Sequence, residues 1–166
     1  RAAHAAELVD VVRANEATTA FAAIEDGVDV NAPGPDGTTA LHWAVYNDNL
    51  ALVERLVRAG ARVDVKNEFG SSPIAEAANV GNAKVLEVLL EAGADADTLG
   101  ADGETPLMIV ARSGNVDAAR VLIEHGANVN AREAWRGQTA LMWAAAQNQP
   151  KMVGLLVANG AEVDAR

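Results

Sequence analysis

An all-α solenoid of five repeats, with turn-based fingers projecting from it, is the fold class that the amino-acid sequence predicts, on three observations. The phrases "GVDVN", "GARVDV", "GADADT", "GANVNA" and "GAEVDA" open on Gly27, Gly60, Gly93, Gly126 and Gly160, which step by 33, 33, 33 and 34 residues. A second, independent landmark keeps the same step: "TTALHWA", "SSPIAEA", "ETPLMIV" and "QTALMWA" place Thr39, Ser72, Thr105 and Thr139 in equivalent positions. Between the two landmarks, apolar residues recur at helical spacing, as in Val85, Leu86, Val88, Leu89 and Leu90. Self-similarity at such a period marks stacked supersecondary units. The chain then reads as one domain of repeats spanning about 1–34, 35–67, 68–100, 101–133 and 134–166.

Each element of the repeat has a local reason. Thr39, Ser72, Thr105 and Thr139 are N-cap types, and Pro73 and Pro106 follow at the first helical position, where a missing N–H costs nothing. That opens a short first helix, which a loop such as "RSGN" (Arg112 to Asn115) closes. A second helix follows, and in the last repeat Pro150 stands at its expected start. It stops at Gly60, Gly93, Gly126 or Gly160, where a left-handed residue is wanted. Turn sequences rich in Asp and Asn then lead to "PDG", "EFG", "ADG" and "WRG" at hairpin tips. The longer last step comes from "NVNAREAWRGQT", so the finger bearing Trp135 and Arg136 should reach further or bulge, with Arg136 exposed to solvent.

A period near 33 with T-P-L-H-x-A opening the first helix resembles the ankyrin repeat, and the likeness covers essentially the whole chain. The fullest matches are "DGTTALHWA" and "DGETPLMIVA". Ala40 and Ala140 replace the proline, and Ala75, Met108 and Met142 replace the histidine. The first repeat has Ala6-Glu7-Leu8 where the motif would stand, which suits a terminal repeat. The wording "REAWRGQTALMWAAA" is also similar to bacterial ankyrin-repeat proteins, some of them exported. In the last repeat Met152, Val153, Leu155, Leu156 and Val157 leave an apolar set with no polar cap after it. Part of it should pack inward and part should face outward. The expectation is a monomer that is part of a longer array, or one that pairs end to end through this repeat.

Composition narrows function. Half of the residues are hydrophobic, yet no run approaches the roughly 18 apolar residues of a membrane span, so the expectation is a soluble protein with no membrane partner, cytoplasmic or exported to a bacterial periplasm. Ala3-His4-Ala5 has the small-x-small look of a cleavage site, read here as helix. With 23 acidic against 13 basic side chains the net charge is −10, which repels a phosphate backbone and argues against nucleic acid. The absence of cysteine excludes disulfides, thiolate nucleophiles and cysteine zinc sites.

No constellation of catalytic or metal-binding residues emerges. His42 stands in the repeat's histidine position, where the resemblance implies hydrogen bonds to neighbouring backbone, while His4 and His125 fall at unrelated places. The serines lie outside any nucleophile-elbow context and no glycine pattern fits a phosphate loop. In the acidic run from Asp95 to Glu104, a calcium loop fails because its fifth position is Leu99 and its twelfth is Pro106. Mixed charges at Glu54, Arg55, Arg58, Lys84, Glu87, Asp117, Arg120 and Glu124 read as a solvated outer face. No enzyme, metal or cofactor is expected.

The aromatics carry the functional reading. The resemblance places Trp43, Glu76, Ile109 and Trp143 on the inner, concave side of the first helices, and Tyr46 and Arg112 share that face by helical spacing. Fingertips add Phe69, Trp135 and Arg136. Of six aromatics, only Phe21 falls outside this set, which a core would not demand. Trp43 and Trp143 can serve packing, binding or both, whereas Phe69 and Trp135 at tips suit an interaction site. The expected function is non-catalytic binding of a protein or peptide, with a saccharide- or small-ligand-binding solenoid and a passive scaffold fragment as alternatives. With first helices stacked about 8–10 Å apart, Trp43 and Trp143 should lie about 25–30 Å apart along the groove.

Overall fold

The computed structural model describes residues 2–164, with side chains from Leu8 onward. The side chains of the Ala3-His4-Ala5 segment and of Ala6-Glu7 therefore lie outside the described residues. Among the described residues, ten helices form five pairs: α1 (Ala2–Arg13) with α2 (Ala17–Glu25), α3 (Ala40–Tyr46) with α4 (Leu50–Arg58), α5 (Pro73–Val80) with α6 (Ala83–Glu91), α7 (Pro106–Ser113) with α8 (Val116–Glu124), and α9 (Ala140–Ala146) with α10 (Pro150–Ala158). Each first helix packs on the first helix of the next repeat, and each second helix on the next second helix. Two helical layers result, with the fingers as connections between pairs.

Helix starts follow the sequence. The hydroxyls of Ser72, Thr105 and Thr139 accept from the backbone N–H of Ala75, Met108 and Met142. Second helices have a different cap that the sequence reading did not single out. The side-chain oxygens of Asn49, Asn82 and Asn115 accept from Leu52, Val85 and Ala118 N–H. The amide nitrogens of the same residues reach the preceding repeat, donating to Asn15 Oδ1 at 2.8 Å, Asp48 Oδ1 at 2.6 Å and the Gly81 carbonyl at 2.6 Å. Asparagine is required because a cap needs an acceptor and the clamp needs a donor. The residues receiving the clamp sit in left-handed turns, at Asn15, Asp48 and Gly81 with φ of 57°, 51° and 80°.

Second helices end as expected, with φ between 88° and 95° at Gly60, Gly93, Gly126 and Gly160. Beyond them a second ladder joins repeats. Asn31 donates to the Gly60 carbonyl and accepts from Arg62 N–H, and Asn130 does the same with Gly160 and Glu162. Asp97, part of the acidic run tested for calcium, accepts from Asn128 N–H at 3.0 Å. Asp64, at the same repeat position, instead accepts from the Arg62 guanidinium at 3.2 Å.

The core is a stripe between the layers. Leu41, Leu52, Leu56, Ile74, Leu86, Leu89, Leu107, Leu122, Met152 and Leu156 are fully buried. In α10, Met152 and Leu156 face inward, Val153 and Leu155 are half-buried, and Val157 and the following Val163 are exposed, the split that the last repeat's sequence implied. No strand forms among the described residues, so the fingers are turns without a β ladder. Each of the first three closes by two bonds, as in Gly34 N–H to the Thr38 carbonyl and Gly37 N–H to the Gly34 carbonyl.

Candidate functional site

The fingers present the aromatics because their own side chains tie the turns from within. In the second finger, Asn67 Oδ1 accepts from Phe69 N–H at 3.1 Å and Ser71 N–H at 2.9 Å, which leaves the Phe69 ring outside, 68% exposed. The neighbouring tips are joined by Glu68 N–H donating to the Asp36 carbonyl at 3.0 Å.

The finger after α8 is longer by one residue, as its sequence predicts, and Glu133 accounts for its shape. Gly137 N–H reaches back to the Glu133 carbonyl, four residues away, where Gly70 reaches Asn67 and Gly103 reaches Gly100 over three. Glu133, a residue only 7% exposed, fills the wider loop, and its carboxylate accepts from Trp135, Arg136 and Gln138 N–H at 2.6, 2.8 and 2.9 Å. These backbone bonds, Gln138's above all, hold its carboxyl below the ordinary glutamate value, with the Arg136 charge assisting. Trp135 is left 88% exposed and Arg136 is exposed beside it. Glu133 escaped the sequence reading. Its signal was an acid at the position held by Gly34, Asn67 and Gly100 in the other fingers.

On the first helices the two tryptophans are half-buried and packed against the core, so both have a structural share. Trp43 meets Tyr46 edge to face, with centroids 5.6 Å apart and planes at 85°, and Tyr46 is 61% exposed. Trp143 is covered by Arg112, whose guanidinium lies 5.4 Å from the ring centroid. The same guanidinium donates to Glu104 Oε1 at 2.8 Å. Arg112 is thus held in place between Glu104 and Trp143, with part of its side chain still exposed. Trp143 Nε1 is buried with no acceptor, a cost of about 1–3 kcal/mol for such a donor. Glu76 is half-buried on α5 and takes one long bond, 3.4 Å, from the Ser71 hydroxyl.

His42 has the structural geometry expected of it. Thr39 N–H donates to its Nδ1 at 3.2 Å and its Nε2–H donates to the Ser71 carbonyl at 3.2 Å, tying α3 to the next finger. The bond accepted at Nδ1 needs the neutral ring, whereas Nε2–H can donate to Ser71 in either form; burial pushes the pKa down, against the Ser71 carbonyl and Asp36, which raise it. Among the described residues, no three His, Asp or Glu side chains gather as metal ligands, and no helix is long and apolar enough to cross a membrane.

A family model described as "Ankyrin repeats (3 copies)" matches residues 8–100 and again 74–166. The chain belongs to the ankyrin-repeat family. Ankyrin repeats are generally protein-interaction modules and are typically non-enzymatic. The chain is similar to the Notch-regulated ankyrin repeat-containing protein of Homo sapiens, 47% identical over 49 residues, which are 30% of this chain and 43% of that protein. The same identity over 49 residues holds for protein A of that name in Danio rerio, covering 30% of this chain and 44% of the relative. The match thus spans less than half the length of these relatives, and they are vertebrate where the sequence wording suggested bacterial ones.

Proposed function

We propose that this ankyrin-repeat chain binds a protein or peptide on its inner first-helix face and fingertips, with Trp43, Tyr46, Phe69, Trp135 and Trp143 as anchors and Glu76, Arg112 and Arg136 setting orientation. The observation that carries the reading is the exposure of Trp135, Phe69 and Tyr46, at 88%, 68% and 61%, at two fingertips and at the end of the first helix α3. Exposed aromatics grouped in this way mark interaction sites. A bacterial source, read from "REAWRGQTALMWAAA", belongs to the same proposal.

A small-ligand reading is less favoured. A cleft of about 630 Å³ is lined by Val57, Gly60, Ala61, Arg62, Val63, Asp64, Ala92 and Gly93, and none of the aromatics borders it.

The test is the double variant Phe69→Ala, Trp135→Ala. Partner captured from the native source by the parental chain should bind the variant about thirtyfold more weakly, the equivalent of about 2 kcal/mol at such anchors. The melting temperature should stay nearly unchanged, because both rings are exposed. Normal binding, or a melting temperature many degrees lower, would assign these aromatics to the scaffold.

A further inference from the structure

Arg112 lies between the Glu104 carboxylate of its own repeat and the Trp143 indole of the next, 2.8 Å from the one and 5.4 Å from the ring centroid of the other. A cation flanked by an acid and an aromatic ring gains both charge pairing and attraction to the ring face. The molecule thereby fills one such place with its own side chain.

Among the described residues, no cation lies over the other tryptophan of the same phrase. Trp43 on α3 stands at the repeat position of Trp143 on α9, and Glu76 on α5 stands at that same position one repeat further on. The helices α3 and α5 pack on one another. Glu76 is half-buried and has no ion pair among the described residues, only the 3.4 Å bond from Ser71. A partly desolvated carboxylate without a countercharge is costly, and pairing relieves that cost. Tyr46 is packed edge to face on Trp43 and offers a largely exposed ring.

Among the described residues, two basic side chains, one in the repeat before that of Trp43 and one in its own, are occupied. Arg13, in α1, holds the register of Arg112 relative to a following tryptophan, but it pairs with Asp10 at 2.9 Å. Lys66 donates its ammonium to the Leu99 carbonyl at 2.9 Å. The flanking tips carry Asp36 and Glu68, and the chain as a whole has a net charge of −10, which draws cations toward it.

We propose that Trp43, Tyr46 and Glu76 receive a lysine or arginine side chain from a basic segment of the partner, an inference that rests on the binding face proposed above. The incoming cation would pair with Glu76 and lie on the aromatic pair, as Arg112 does with Glu104 and Trp143.

The test follows the three tryptophan indole N–H resonances of the whole chain by NMR during titration with a short blocked Arg-Gly repeat peptide and with its Glu-Gly counterpart. The basic peptide should shift the Trp43 resonance and leave that of Trp143 in place, and the acidic peptide should shift neither. Glu76→Gln should weaken the basic peptide by about three- to fivefold, in keeping with an exposed charge pair and a cation–π contact. Glu87→Gln removes the same charge from the exposed side of α6 and should change little. Tyr46→Ala, at an exposed ring, is the second variant and should also weaken binding. Equal losses from Glu76→Gln and Glu87→Gln, or equal shifts at Trp43 and Trp143, would overturn the proposal by showing attraction to net charge alone. If the basic peptide ignores Trp43 while Phe69→Ala, Trp135→Ala still abolishes partner capture, the cation site falls and the binding face stands. If the peptide binds at Trp43 while that double variant captures partner normally, the fingertip anchors fall and the cation site stands.

Discussion

Two titratable side chains show how single residues hold the fingers in place. Glu133 satisfies three N–H groups of a turn whose backbone closes by two bonds of its own, Glu133 N–H to the Gln138 carbonyl and Gly137 N–H to the Glu133 carbonyl. Glu133→Ala should therefore loosen this finger without unfolding the stack, and limited trypsin digestion should cut after Arg136 sooner than in the parental chain. His42 makes a pH prediction. Its folded pKa lies below the ordinary value because burial disfavours the charged ring, so between the two values the unfolded chain binds more protons and stability rises with pH. The contribution is complete above about 6.5 and is lost as pH falls through that value toward the folded one. Met108 and Met142 fill the same position in other repeats, which makes His42→Met the natural control. Melting temperatures of the parental chain should fall between pH 7 and 5, and those of His42→Met should be flatter over the same window.

At the scale of the element, the turn between paired helices decides how repeats join. Gly114 has φ of 75° after α7, and a Cβ there would meet the Gln149 side chain of the next repeat. Gly114→Ala should cost about 1–2 kcal/mol from the left-handed backbone alone, read as a lower denaturant midpoint with an unchanged slope. Asn15, Asp48 and Asn148 occupy the equivalent turns at φ of 57°, 51° and 53°, because Asn and Asp tolerate this region better than other side chains. The asparagine caps couple the same turns across repeats. Asn82→Asp keeps the helix-capping oxygen but replaces the amide that donates to Asp48 with a second carboxylate, so it should destabilise the junction of α4 and α6 more than loss of one cap would.

For the whole molecule, a stack joined only through neighbours predicts position-dependent stability. Leu86 is fully buried in the central repeat, and Leu86→Ala should cost about 2–5 kcal/mol and lower the entire unfolding transition. Met152 is equally buried but lies in the last repeat, so Met152→Ala should act locally. Hydrogen exchange should show α9 and α10 opening first while the central repeats keep their protection. The exposed Val157 and Val163 of that end give the pairing expectation its test: light scattering at rising concentration should show a dimer, and a persistent monomer would remove it.

The repeat count, the helix pairs, the caps at Ser72, Thr105 and Thr139 and the longer finger before Thr139 were all legible in the sequence, because helix periodicity, capping and glycine turns are local properties that recur with the period. Exposure of Phe69, Trp135 and Arg136 was legible for the same reason, since turn position alone keeps a tip away from the core. Tertiary structure decided what lies across repeats. Whether Arg112 is free or laid on Trp143, and whether Asp97 serves a turn or binds Asn128, depends on which side chains stacking brings together from residues about one repeat apart. The carboxylate of Glu133 is the mixed case: its acid was visible in the sequence, but its role follows from burial inside a turn whose three N–H groups converge on it.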